Sequence, residues 1–112
     1  MELISKTNGA LQVVAVNSPR IDAALAIEFK EAMRSATDTE RPTVILDLSH
    51  VEFIDSSGLG AIVASMKHMG QERKLVLAGL TPTVDKVFRL TRMDSVFGVF
   101  PTLESAIDAH AA

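Results

Sequence analysis

Residues 44–69 read VILDLSHVEFIDSSGLGAIVASMKHM, an apolar segment, a short polar turn and a second apolar segment in succession. The first segment, residues 44–54, opens with a β-branched apolar run that is typical of a strand buried on both faces. The second segment, residues 61–69, is apolar nearly all round, which predicts a largely buried helix. The hexapeptide between them, DSSGLG at 55–60, therefore marks a junction from strand to helix.

At such a junction the backbone N–H groups of the first helical turn have no partner within the helix. They favour a capping side chain or a negative charge. The residues alone predict Ser56 or Ser57 as the helix N-cap, and they leave open a phosphorylated serine at the same place. Asp22 has the same ambiguity, because another helix is expected to begin there.

Outward from this junction, strands and helices alternate. Asn8-Gly9 lies between two apolar runs and predicts an opening β-hairpin. Apolar residues at 25, 29, 32 and 36 predict a helix within residues 23–37. The other expected elements are strands over 43–48, 75–78 and 97–100 and helices over 58–69, 82–90 and from 101 onward. The order β-β-α-β-α-β-α-β-α predicts one α/β domain over residues 1–112, with a mixed, largely parallel sheet of about five strands and about four helices.

The composition is that of a globular chain, with 47% apolar and 22% charged residues among 112. A net charge of −3 without a basic stripe argues against a nucleic-acid or membrane-surface partner. Cysteine is absent, which excludes disulfides and thiolate chemistry and suits a reducing compartment. Because no signal-peptide pattern and no bilayer-length apolar run is visible, we expect a cytoplasmic protein.

Catalysis and cofactor binding find little support in the sequence. A nucleophilic serine needs a neighbouring base, and His50, His68 and His110 are loosely placed relative to the serines, with no nucleophile-elbow spacing. The stretch from Gly58 to Val63 resembles a dinucleotide fingerprint only faintly, because its third glycine is replaced by Val63.

Metal binding has no better support, because the acidic residues are scattered and form no ligand pattern. These acidic residues are Asp22, Asp47, Glu52 and Asp55. We therefore expect no catalytic residue, no metal and no cofactor.

The segments VILDL at 44–48 and VEFIDSSGLG at 51–60 resemble the signature of anti-sigma factor antagonists, which are stand-alone STAS domains (sulphate transporter and anti-sigma factor antagonist). The resemblance runs over nearly the full chain. Residues 81–90, TPTVDKVFRL, are similar to a Pro-x-Val-x-x-x-Phe segment of that family. Residues 20–22, RID, stand where the family usually has Glu-Leu-Asp, so Arg20 departs from the pattern.

The resemblance implies a switch between partners. Ser56 would be the phosphorylated residue, and its kinase would be the anti-sigma factor itself, an ATPase of the histidine-kinase-like fold. The unmodified chain would bind that kinase and free the sigma factor, and a serine phosphatase would reset the cycle. ATP and metal would belong to these partners.

The resemblance also implies a docking surface around the serine. The partner-binding residues would be Asp22, Asp55, Ser57, Gly58 and Leu59, with Ser57 as the more structural of the two hydroxyls. Arg20 would redirect charge complementarity toward a different kinase. A second interpretation stays open, in which the chain is a STAS subunit of a membrane lipid-transport ABC complex that docks constitutively to an ATPase.

Overall fold

The computed structural model describes residues 1–110. Within them a five-stranded sheet is packed with four α-helices, as the sequence predicts, and a two-stranded sheet lies beside it. The strands are β1 (Glu2–Asn8), β2 (Leu11–Asn17), β3 (Arg20–Ile21), β4 (Thr43–Asp47), β5 (Phe53–Ile54), β6 (Lys74–Ala78) and β7 (Gly98–Phe100). The helices are α1 (Ala26–Ala36), α2 (Ser56–Met69), α3 (Pro82–Leu90) and α4 (Leu103–His110), with a 3₁₀ turn over Met93–Ser95.

The large sheet is mixed and mostly parallel, with strand order β1-β2-β4-β6-β7. Only β1 and β2 pair antiparallel; β4 pairs parallel with β2 and with β6, and β7 pairs parallel with β6. Parallel neighbours need crossover connections, and the helices supply them. The two-residue strands β3 and β5 pair parallel with each other in a separate small sheet.

The core lies on both faces of the large sheet. Alternation along β4 sends Val44 and Leu46 to the face covered by α1, α2 and α3, where Phe29, Ile62 and Phe88 are fully buried. The opposite face of the sheet is covered by α4; its cluster contains Leu11, Ile45, Val76, Ala78 and Ala106. The central strand is thus buried on both sides, which explains its continuous apolar sequence.

Two sequence predictions are correct in kind and displaced in detail. The hairpin forms, but Asn8 pairs with Leu11, so Gly9 and Ala10 make the turn, and Gly9 supplies the positive φ of 60°. The first helix begins at Ala26 and not at Ala23, because residues 23–25 form a turn.

The buried face of α1 consequently differs from the predicted one. Ala26, Phe29 and Met33 are buried, whereas Leu25 lies just before the helix and is only partly buried.

Within residues 1–110 no helix has both the length and the apolar character needed to cross a bilayer.

Candidate functional site

The small parallel sheet brings two distant segments together just before α2 begins. Arg20 pairs with Phe53, and Ile21 pairs with Ile54. Ile21 and Ile54 are buried in the core. Because side chains alternate along a strand, Arg20 and Phe53 lie on the outer face. Their contact confirms this, since the Arg20 guanidinium carbon is 4.4 Å from the centroid of the Phe53 ring.

Asp55 is the N-cap of α2, and the prediction of a serine cap is wrong. Its backbone is extended, with φ −110° and ψ −175°, and its Oδ1 accepts a hydrogen bond of 2.9 Å from the N–H of Gly58. Its Oδ2 accepts a second hydrogen bond, of 3.0 Å, from the N–H of Ala23. One carboxylate therefore caps α2 and also joins it to the loop that leads into α1.

Ser56 and Ser57 are the first two residues of α2, and both are exposed. The helix begins two residues earlier than predicted because Asp55 takes the capping position. Leu59 is partly buried against the core, so its side chain is less accessible than those of the serines. The two hydroxyls stand at the start of α2, where a partner or an enzyme can reach them.

Gly58 is buried because α2 passes very close to β3. A Cβ on Gly58 would lie 1.9 Å from the carbonyl oxygen of Ile21. The absence of a side chain is thus what allows the helix start and β3 to touch. Gly58 acts in this structure as a packing residue beneath the serines.

Asp22 lies on the other side of the same junction. Its Oδ1 accepts a hydrogen bond of 3.2 Å from the N–H of Leu25, and its Oδ2 accepts one of 3.0 Å from Nε of Arg20. Asp22 is not the N-cap of α1, because that position falls on Leu25, three residues later. Asp22 instead stabilises the turn that precedes α1, and it also holds Arg20. The structure therefore brings Asp22 and Asp55 to one place through Ala23.

Phe53 is the site residue that sequence reasoning missed. It is 38% exposed and lies beneath Arg20. Its position depends on the pairing of β3 with β5, two segments more than thirty residues apart along the chain. An aromatic residue at the polar end of an apolar run was the only signal in the sequence, and it is a weak one.

His68 and His110 lie away from this junction. His68 lies in the last turn of α2, twelve residues after Ser56 and so about 18 Å along the helix. His110 bonds within α4, where its Nδ1 is 2.9 Å from the carbonyl oxygen of Ala106. Within residues 1–110 no group of three His, Asp or Glu side chains is arranged to hold a metal ion.

The capping hydrogen bonds make the carboxylate of Asp55 the preferred form. The pKa of Asp55 lies below its ordinary value chiefly because the Gly58 N–H donates to it. That effect, with the Ala23 N–H, outweighs the partial burial that opposes it. A lowered folded-state pKa means that this stabilisation is complete above about pH 4 and is lost as the pH falls through the lower value.

We therefore expect Asp55→Asn to lower the melting temperature at neutral pH, because an amide offers one acceptor oxygen where the carboxylate offers two, and to lower it by less below about pH 4. Asp38→Asn is the matched control, because Asp38 is exposed and lies away from the α2 cap. Circular-dichroism melts of the three proteins from neutral to about pH 3 measure the differences. A difference for Asp55→Asn that does not change with pH would contradict the stabilising role of the ionised carboxylate.

Comparison with known proteins adds to this geometry. The model of the STAS domain family matches residues 3–106. The anti-sigma-B factor antagonist of Listeria monocytogenes is 32% identical over 80 residues, which cover 70% of each chain. The anti-sigma-F factor antagonist RsfB of Mycobacterium tuberculosis is 29% identical over 87 residues, covering 78% of this chain and 71% of that protein.

The fold comparison points to the same family as the sequence comparison. The crystal structure of an anti-sigma factor antagonist from Mycobacterium paratuberculosis superposes with a TM-score of 0.86 at 29% identity, over 96% of this chain and 92% of that one. Sequence and fold therefore lead to the same conclusion: the chain belongs to the STAS domain family, and the three relatives named here are anti-sigma factor antagonists.

Proposed function

We propose that this protein is a phosphorylation-gated anti-sigma factor antagonist of the cytoplasm. In its unmodified form it binds an anti-sigma factor that is also a serine kinase, and so releases the sigma factor. Phosphorylation of Ser56 ends that complex, and a serine phosphatase restores it. The observation that carries the proposal is the placement of Ser56, exposed and first in α2, beside the Asp55 cap.

The surface around Ser56 suits the docking of another protein. Ser57 and Gly60 are small and exposed, and they leave the start of α2 free of bulky side chains. Ile27, in the first turn of α1, is 67% exposed, which is unusual for a large apolar residue. The hydrogen bond from the Ala23 N–H to Asp55 holds the loop before α1 against the start of α2. A partner could thus bury Ile27 while it contacts the serines.

Phosphorylation would change this surface with little change in the fold. The Ser56 Oγ would bond to the γ-phosphorus of ATP while the bond from that phosphorus to ADP breaks, and the proton would pass to a base on the kinase. The product carries about 1.5 to 2 negative charges at pH 7. The positive end of the α2 dipole tolerates that charge, whereas a partner with acidic or apolar groups opposite Ser56 is repelled.

Ser56→Ala is expected to abolish phosphorylation and to leave kinase binding in place. Ser57→Ala is the matched control, one residue further along the same helix turn, and it should accept one phosphate as the wild type does. The purified protein is mixed with its cognate anti-sigma factor kinase and Mg-ATP, and the intact mass is read. Equal phosphate uptake by Ser56→Ala would overturn the assignment of the site.

A further inference from the structure

We propose that Arg20 is a phosphate-binding residue for phosphorylated Ser56. This inference rests on the proposed function, because Ser56 must carry the phosphate. It goes further by assigning a recognition role within the same chain to a side chain outside the serine motif. The ligand is a phosphate monoester on a neighbouring serine, and the receptor is the guanidinium group held over Phe53.

Arg20 is already held in position. Its guanidinium carbon lies 4.4 Å from the centroid of the Phe53 ring, and its Nε donates a 3.0 Å hydrogen bond to Oδ2 of Asp22. Stacking and an ion pair together restrict a side chain that is otherwise among the most mobile. Ordering it on a phosphate would therefore cost less entropy than for a free surface arginine.

The held arginine has unused donors. Among the contacts within residues 1–110, the guanidinium hydrogen-bonds only through Nε, and the side chain is 54% exposed. Its two terminal amino groups carry four further N–H donors. The planar guanidinium can present two parallel N–H groups to a phosphate, and such pairs are among the strongest hydrogen bonds in proteins. Nε can keep Asp22 while the terminal groups bind phosphate.

The register of the small sheet places Arg20 within reach of Ser56. Arg20 lies opposite Phe53, three residues before Ser56, so the Cα atoms of Phe53 and Ser56 are at most about 11 Å apart. The Arg20 side chain extends along its own strand to Asp22, whose carboxylate its Nε contacts, and β5 runs parallel to β3 toward Ser56. The hydrogen bond between Ala23 and Asp55 closes the remaining gap between the two segments. A long arginine and a phosphoserine side chain together span this distance.

Two carboxylates also face this position, those of Asp22 and Asp55. Both repel a phosphate, and both already accept backbone N–H groups, which partly balance their charge. Arg20 is therefore the cation that offsets the added negative charge at this end of α2. Loss of Arg20 would remove this positive charge while both carboxylates remain.

The test places phosphoserine at position 56 genetically, through a suppressor tRNA, so that no kinase is needed. The ³¹P chemical shift is followed through a pH titration in the wild-type background and in Arg20→Gln. We expect the titration midpoint of the phosphate to be lower in the wild-type background than in Arg20→Gln, by about 0.5 pH units or more, because a neighbouring cation favours the phosphate dianion. Arg34→Gln, which removes an exposed cation from the last turn of α1, should keep the wild-type midpoint.

Arg20→Lys distinguishes recognition from simple charge. It keeps the cation but removes the planar fork, so its midpoint should fall between those of the wild type and Arg20→Gln. Equal midpoints for the wild type and Arg20→Gln would overturn the proposal, as would an equal change in Arg34→Gln. Because the phosphate is installed directly, the titration result does not depend on whether a kinase phosphorylates Ser56. Equally, a kinase can phosphorylate Ser56 even if the phosphate makes no contact with Arg20. The two proposals can therefore fail separately.

Discussion

Gly58→Ala is expected to lower the free energy of unfolding by about 3 kcal/mol, or to prevent folding. The added Cβ would lie 1.9 Å from the carbonyl oxygen of Ile21 and 2.8 Å from its carbonyl carbon. Both are backbone atoms, so no flexible side chain can move aside, and α2 must separate from β3. Urea unfolding followed by circular dichroism measures the change.

Gly60→Ala is the matched control, two residues further along the same helix. A Cβ on Gly60 meets no atom within 4 Å. Replacing a helical glycine with alanine there should raise the free energy of unfolding, by about 0.5 to 1 kcal/mol. Opposite signs for the two variants are the expected result. A neutral Gly58→Ala would mean that α2 and β3 are further apart than described.

Ser56→Asp is expected to weaken binding to the anti-sigma factor kinase by about 100-fold or more, equivalent to about 2.7 kcal/mol. A carboxylate at the first residue of α2 brings negative charge to the surface that the partner must cover, beside the carboxylate of Asp55. The fold should be unaffected, because acidic groups are favourable at a helix start. Isothermal titration calorimetry with the cognate kinase measures the loss.

Thr7→Asp controls for charge alone. Thr7 is exposed in β1 and pairs with Gln12, which in turn pairs with Val44 near the start of β4. Helix α2 follows the other end of β4. The same added charge at the opposite ends of the strands should leave the dissociation constant of the kinase complex within about twofold of the wild-type value. If both variants weaken binding equally, net charge and not Ser56 governs the complex.

Most of the fold could be predicted because its local signals agree with its tertiary arrangement. Helix α3 is an example: it begins at Pro82, as predicted, and Thr81 is its N-cap. Even there the structure adds a contact, since the Thr81 hydroxyl does not cap the helix but donates to the carbonyl oxygen of Val51. The strands β4 and β6 are equally predictable from the sequence, because burial on both faces requires an apolar run.

The errors occur where a distant segment decides a local choice. Three polar residues in a row, Asp55, Ser56 and Ser57, are all acceptable N-caps by sequence. Asp55 takes the position because its second oxygen also binds the N–H of Ala23, which lies 32 residues away. The pairing of Arg20 with Phe53 depends on the register of β3 and β5, two strands of only two residues each. Local propensity carries no information about such contacts.

By itself, the sequence determined where the strand-to-helix junction lies, which segments form the sheet and that two serines stand at the start of α2. These features follow from periodicity and turn chemistry, which act over a few residues. The tertiary structure alone decided which side chain caps that helix, why Gly58 must lack a Cβ and which cation stacks on Phe53. The reason is physical, because each of these depends on β3 lying against β5 and α2, and that contact exists only after the chain has folded.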